Sequence, residues 1–113
     1  MFHTVWAEKK IRRGELWTAI MCVNGYLKTK LIIIIEMYEH CVHGTAYDTW
    51  HNGRMAEQWA EPFIVDKLGD CFSRYDADDL LSAIAATREL FLTLAKECAS
   101  AYVYTTGIPK IDS

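Results

Sequence analysis

The sequence predicts an all-α fold, a helical bundle of four to five helices with a long central helix and a long C-terminal helix. Three observations carry that expectation. Between Glu15 and His43, apolar residues recur at 17, 20, 21, 27, 31, 34, 35, 38 and 42, in gaps that fit a helical period. A second stripe, Leu80, Ile84, Thr87, Phe91, Leu94, Cys98 and Tyr102, alternates gaps of four and three, with Ser82, Glu89, Thr93, Lys96 and Ser100 opposite it. No repeat, low-complexity run or linker interrupts the chain, so 1–113 reads as one domain, long enough to bury a core of its own.

The elements follow in order. Phe2 to Arg12 forms a short helix, with basic residues in its last turn and Gly14 as its stop. The central helix spans Glu15 to His43, and Asn24-Gly25 is a point where it bends or breaks. Its run Leu31-Ile32-Ile33-Ile34-Ile35 is β-branched and would suit a buried strand. The flanking period makes it a central, fully covered helix instead. Gly44 ends that helix, with His40 and His43 in the turn where cationic side chains are favoured. Thr45 to Gly53 is a loop, and Arg54 to Ala60 a short helix. Pro62 then opens a helix running to about Tyr75. Asp76 is the N-cap of the last helix, which runs to about Tyr104 before Gly107 and Pro109.

Charge excludes some functions. The net charge of −3 argues against a general nucleic-acid binder, which needs a basic surface. Residues 8–30 carry a local +4, whereas 31–113 carry −7, a body that attracts cations. The longest uncharged stretch, Leu16 to Leu27, has twelve residues against the roughly twenty of a membrane span. The N-terminus lacks the basic-then-apolar order of a signal peptide. Four cysteines without a CxxC pair read as reduced and mostly buried. The expected location is the cytoplasm, with no membrane partner.

Most chemical motifs fall to simpler readings. Glu36, His40 and His43 share one face of the central helix, with Glu39 and Cys41 nearby, yet lack a well-spaced third metal ligand. No metal and no cofactor is expected. Asp76-Ala77-Asp78 matches the carboxylate pair that holds magnesium in nucleotidyltransferases, but it opens a helix and no Gly-Ser turn precedes it. GxGxxG, GxxxxGK and GxSxG are absent. No histidine has an arginine four to seven places before it, which disfavours a helical ribonuclease. The densest cluster is Tyr47-Asp48-Thr49-Trp50-His51-Asn52-Gly53-Arg54, running into Glu57, Gln58 and Trp59. Such a loop either binds something or is a hydrogen-bonded connector with Trp50 and Trp59 as core lids.

Trp50-His51-Asn52-Gly53-Arg54 with Glu57-Gln58-Trp59-Ala60 resembles the C-terminal domain of the aminoglycoside 6-adenylyltransferase (streptomycin adenylyltransferase) family. Ala7-Glu8-Lys9-Lys10, Arg13 to Trp17, Cys71 to Asp79 and Leu90 to Ala95 extend the resemblance over nearly the whole chain. The family's enzymes carry an N-terminal nucleotidyltransferase domain with the Gly-Ser and D-x-D metal site. This chain is expected to begin after that domain, and Tyr38-Glu39-His40 stands where the family often has Trp before the histidine.

The resemblance implies a stand-alone domain that binds a cationic small molecule such as an aminoglycoside, with no catalytic residue of its own. Carboxylates would bond ammonium and guanidinium groups, and a tryptophan face would stack on a guanidinium. The expected binding residues are Glu36, His40, Asp48, Trp50, His51, Asn52 and Glu57. Trp50 is the platform, the three acids pair with cations, and His51 and Asn52 read hydroxyls. The alternative is a catalytically inactive interaction module. It would form a homodimer or dock on a separately encoded nucleotidyltransferase domain, burying the apolar surplus around Ile32 to Ile35.

Overall fold

Two long helices, packed along each other, set the shape of the domain. The computed structural model describes residues 2–50 and 52–106, with side chains described for 3–50 and 52–100. Among the described residues there are five helices and no strand. These are α1 (Phe2–Arg12), α2 (Leu16–His43), α3 (Ala56–Trp59), α4 (Pro62–Leu68) and α5 (Ala77–Thr106). A 3-10 turn, Gly69–Cys71, follows α4. Thirty residues of α5 at about 1.5 Å each give roughly 45 Å, close to the longest molecular dimension of 48 Å.

Helix α1 ends where the basic residues and Gly14 place its end. Gly14 has φ +82°. Its N–H donates to Ile11 O at 2.9 Å and that of Glu15 to Lys10 O at 2.9 Å, the paired bonds of a Schellman stop. Arg88 then ties α1 to α5 through Thr4 Oγ1 and Glu8 Oε2, both at 3.3 Å.

Helix α2 neither breaks nor bends freely at Asn24-Gly25. It widens into a π turn over Cys22–Tyr26. The extra residue in that turn shifts the phase of the apolar face. Beyond it the expected positions Leu27, Leu31, Ile34 and Ile35 are buried. Before it Ala19 is buried and within it Cys22 and Val23, whereas Trp17 is 66% exposed and Met21 faces solvent. Asn24 explains the turn. Its Nδ2 donates to Ser73 O and its Oδ1 accepts from Ser73 N, both at 2.9 Å.

By length and composition α2 is apolar enough to cross a membrane, because only Lys28 and Lys30 interrupt it before Glu36. That corrects the expectation drawn from the uncharged stretch alone. A core helix passes the same test, and here Leu27, Leu31, Ile34 and Ile35 face neighbouring helices. Full coverage of the isoleucine run does not hold: Ile33 is 49% exposed and Ile32 half-buried.

Helix α3 is shorter than expected, and α4 stops at Leu68 instead of near Tyr75. Two anchors hold the following segment out of helix. Asn24 takes both backbone groups of Ser73, and Asp79 Oδ2 accepts the Arg74 N–H at 2.6 Å. Asp76 caps α5 as expected, its Oδ2 accepting the Asp79 N–H at 2.9 Å. Tyr102, Gly107 and Pro109, also named from the sequence, lie outside the residues whose side chains are described.

The core has two parts. One gathers Ala7, Ile11, Ala19, Val23 and Leu27 against Leu80, Ala83 and Ile84. The other gathers Leu31, Ile34 and Ile35 with Trp59, Ile64, Leu90 and Leu94. Lys28 and Thr87 lie between them. Cys22, Cys71 and Cys98 are buried, Cys41 is exposed, and all four are free thiols.

Candidate functional site: a cleft between helix α2 and the 44–55 loop

The loop after α2 is held by its own hydrogen bonds. Gly44 takes φ +96° and turns the chain out of the helix. His40 Nε2 lies 2.9 Å from Tyr47 O, and the Tyr47 hydroxyl donates to Trp59 O at 2.8 Å. Trp59 Nε1 donates to Arg54 O at 2.8 Å. Asp48 Oδ1 accepts the Trp50 N–H at 2.8 Å, an Asx turn. These bonds fix a backbone that is locally unfavourable. Trp50, Asn52 and Met55 have φ of +54°, +55° and +62°. A bulky residue there costs about 1–2 kcal/mol, and such strain collects at functional sites.

Between this loop and α2 lies a cleft of about 990 Å³, the size of a drug-like ligand site. Ile32, Ile33, Val65, Leu68 and Phe72 give it apolar walls. The isoleucine run that looked surplus is one side of the cleft. Glu36 and Glu57 line it with Trp50 and Asn52. Four of the seven sequence-derived positions therefore come together.

The others stand apart. Asp48 holds the Trp50 N–H and does not line the cleft. The His40 ring faces Tyr47 O, also outside it. His51 lies outside the described residues. Of the two tryptophans, Trp59 is buried and Trp50 is 49% exposed, so only Trp59 serves as a core lid. The Arg54 guanidinium lies over the Trp50 ring, 5.2 Å from its centroid.

Sequence reasoning marked Asn24 only as a break point in α2, and missed both its hold on Ser73 and Lys28. Lys28 Nζ donates to Val23 O at 2.7 Å and Thr87 Oγ1 at 2.9 Å, and lies 5.2 Å from the Phe72 ring centroid. Burial pushes its pKa down to about 8, against which the neighbouring Cys71 and Cys22 thiols act weakly. Thr87 Oγ1 passes the chain on, donating to Cys71 O at 3.2 Å. The only signal for Lys28 was its place on α2 among apolar neighbours, and for Asn24 the Asn-Gly pair. No spacing rule connects them to Ser73 or Thr87.

A family model described as streptomycin adenylyltransferase matches residues 1–110 of the 113. Comparison with curated proteins and with solved structures gives no match. The chain belongs to the streptomycin adenylyltransferase family.

Proposed function

We propose that this member of the streptomycin adenylyltransferase family is a cytoplasmic helical domain that binds a cationic, polyhydroxylated small molecule of the aminoglycoside class. The observation that carries the reading is the cleft, with Glu36, Glu57 and the half-exposed Trp50 among its lining residues. Carboxylates give charge-assisted hydrogen bonds to ammonium and guanidinium groups. Arg54 already lies over the Trp50 ring, an arrangement a ligand guanidinium would reproduce on the same or the opposite face. Asn52 supplies a donor and an acceptor for hydroxyls. His40 and Asp48 act from behind the loop, by holding Tyr47 and Trp50 in place. His51 belongs to the same proposed ligand set through its place between Trp50 and Asn52 in the sequence.

The chain by itself does not transfer an adenylyl group. That reaction needs paired magnesium ions on carboxylates and a cradle for the triphosphate. Asp76 is engaged as the cap of α5, and the described residues contain no strand to present a D-x-D pair. Incubation with ATP, magnesium and streptomycin is expected to leave the drug unmodified by mass spectrometry, and expression of the chain alone to give no resistance.

The direct test of binding is tryptophan fluorescence during streptomycin titration. A saturable change that disappears in Trp50→Phe supports the reading. No change at millimolar drug would sink it.

A second reading rests on a different surface. Trp6, Trp17, Met21 and Tyr26 border a shallow apolar depression of about 580 Å³ on the far end of α2. Such a patch suits a second copy or a separate nucleotidyltransferase domain. Light scattering at high micromolar concentration separates these: a dimer that Trp17→Glu dissociates favours self-association.

A further inference from the structure

The last turn of α2 carries a cluster unrelated to the cleft. Glu39 is fully buried, and its Oε2 accepts the Glu61 backbone N–H at 2.8 Å. Its other oxygen, Oε1, is buried and has no hydrogen-bond partner. Oε1 instead faces His43 Nε2 at 3.3 Å, and Glu61 Oε1 lies 3.5 Å from the same nitrogen. One donor atom from each of the three residues falls within 4.8 Å of the others.

We propose that Glu39, His43 and Glu61 form a divalent-metal site for a zinc-type ion, with solvent completing the coordination shell. The inference goes beyond the ligand-binding reading and does not depend on it. Bonds of about 2.0–2.1 Å in a tetrahedron place ligand atoms about 3.3–3.4 Å apart, close to the separations of 3.3 and 3.5 Å from His43 Nε2 to the two carboxylate oxygens. Two carboxylates and an imidazole are a donor set that first-row divalent ions accept. His43 and Glu61 are partly exposed, so the ion has a route in and a face for water.

The supporting groups are also present. The Glu61 N–H orients the Glu39 carboxylate, and the Tyr47 ring stacks on His43 with centroids 4.2 Å apart and planes at 24°. Such outer contacts set ligand direction before the ion arrives. An ion pair of His43 with both acids is the competing account. It leaves a fully buried carboxylate oxygen without a hydrogen bond, whereas a cation would satisfy it. Glu39 and His43 end α2, and Glu61 directly precedes α4. A bound ion would therefore clip together the two ends of the loop that carries Trp50 and Asn52, limiting the freedom that loop otherwise has.

The test uses the full chain after chelator treatment. Zinc chloride is titrated by calorimetry, and cobalt(II) by the visible absorption that reports low coordination number and histidine ligation. One equivalent per chain, a raised Tm and a cobalt spectrum are expected. Glu39→Gln and His43→Gln should each weaken uptake by at least about a hundredfold, more than loss of an outer partner usually does, with circular dichroism confirming the fold. If Glu39→Gln fails to fold, His43→Gln and Glu61→Gln carry the same comparison on partly exposed side chains. His3→Gln should bind as the parent does. The proposal is overturned by absence of saturable zinc uptake at about 100 µM, about a hundredfold above a micromolar affinity. It is equally overturned by uptake that survives both Glu39→Gln and His43→Gln.

Discussion

Lys28 and Glu39 both project from α2, the first partly buried and the second fully, and their surroundings could hardly differ more. Lys28 donates to Val23 O and Thr87 Oγ1 and faces the Phe72 ring. Thr87 in turn bonds Cys71 O, and nearby Asn24 binds both backbone groups of Ser73. This polar seam joins the two apolar cores and is satisfied within the protein. Glu39 has one oxygen bonded to the Glu61 N–H and one without a hydrogen bond, beside an imidazole and a second carboxylate. A satisfied buried network specifies a fold. An unsatisfied one near the surface is open to a ligand.

The largest effect should come from cutting the closed end. Asn24→Ala removes two hydrogen bonds and strands the backbone N–H and C=O of Ser73, for an expected loss of about 2 kcal/mol. Urea unfolding measures it. A loss below about 0.5 kcal/mol, within the range of an ordinary surface change, would break the claim that the seam is structural.

Lys28 gives a pH signature. Its pKa in the folded chain is lowered from 10.5 to about 8, chiefly by burial, so the unfolded chain holds the proton more tightly. Stability contributed by this group therefore rises as pH increases from about 8 to about 10.5. Cys22, Cys71 and Cys98, whose pKa values burial raises, act in the opposite sense. The readout is thus the difference in Tm between the parent and Lys28→Met, which should move in the parent's favour across that window. A flat difference would contradict the assignment.

At the open end, Glu39→Gln should change metal-free stability by less than about 1 kcal/mol, in the stabilising direction, because a buried charge is replaced by a neutral group of equal shape. Burial holds the Glu39 pKa above its ordinary value of 4.5. Its folded-state penalty is present at neutral pH and fades as pH falls through that raised value. The advantage of the glutamine variant should shrink with it, as thermal melts from neutral to acid pH would show.

Smallest is Trp50→Gly. Relief of φ +54° offsets the lost ring contacts and the extra backbone entropy, leaving stability within about 0.5 kcal/mol. Streptomycin binding should nevertheless fall by about tenfold, the loss of one stacked cation contact. A merely structural tryptophan would lose stability and leave binding alone.

The helices were legible because they depend on local chemistry. Gly14, Asp76 and the apolar stripe of α5 each mark themselves. The phase shift in α2 was not, since the π turn answers to Ser73, a residue 49 positions away. The end of α4 was hidden for the same reason. Of the site, the loop and its Trp50-Asn52 core stood out through composition, and Glu36 through its helix face. The separation of Asp48 and His40 from the cleft depended on loop turns that no period encodes. Glu39 read as one more charge in a helix tail, because its burial comes from Glu61 and the folded-back loop.

Calorimetric titration of streptomycin into the parent chain and into Glu36→Gln/Glu57→Gln tests the central claim, that the cleft receives a cation. Saturable binding is predicted in the parent. It should weaken at least about tenfold in the double variant, as loss of one or two charge-assisted bonds requires, and it should weaken with added salt. Equal heats from both proteins, or none from either at millimolar drug, would contradict it.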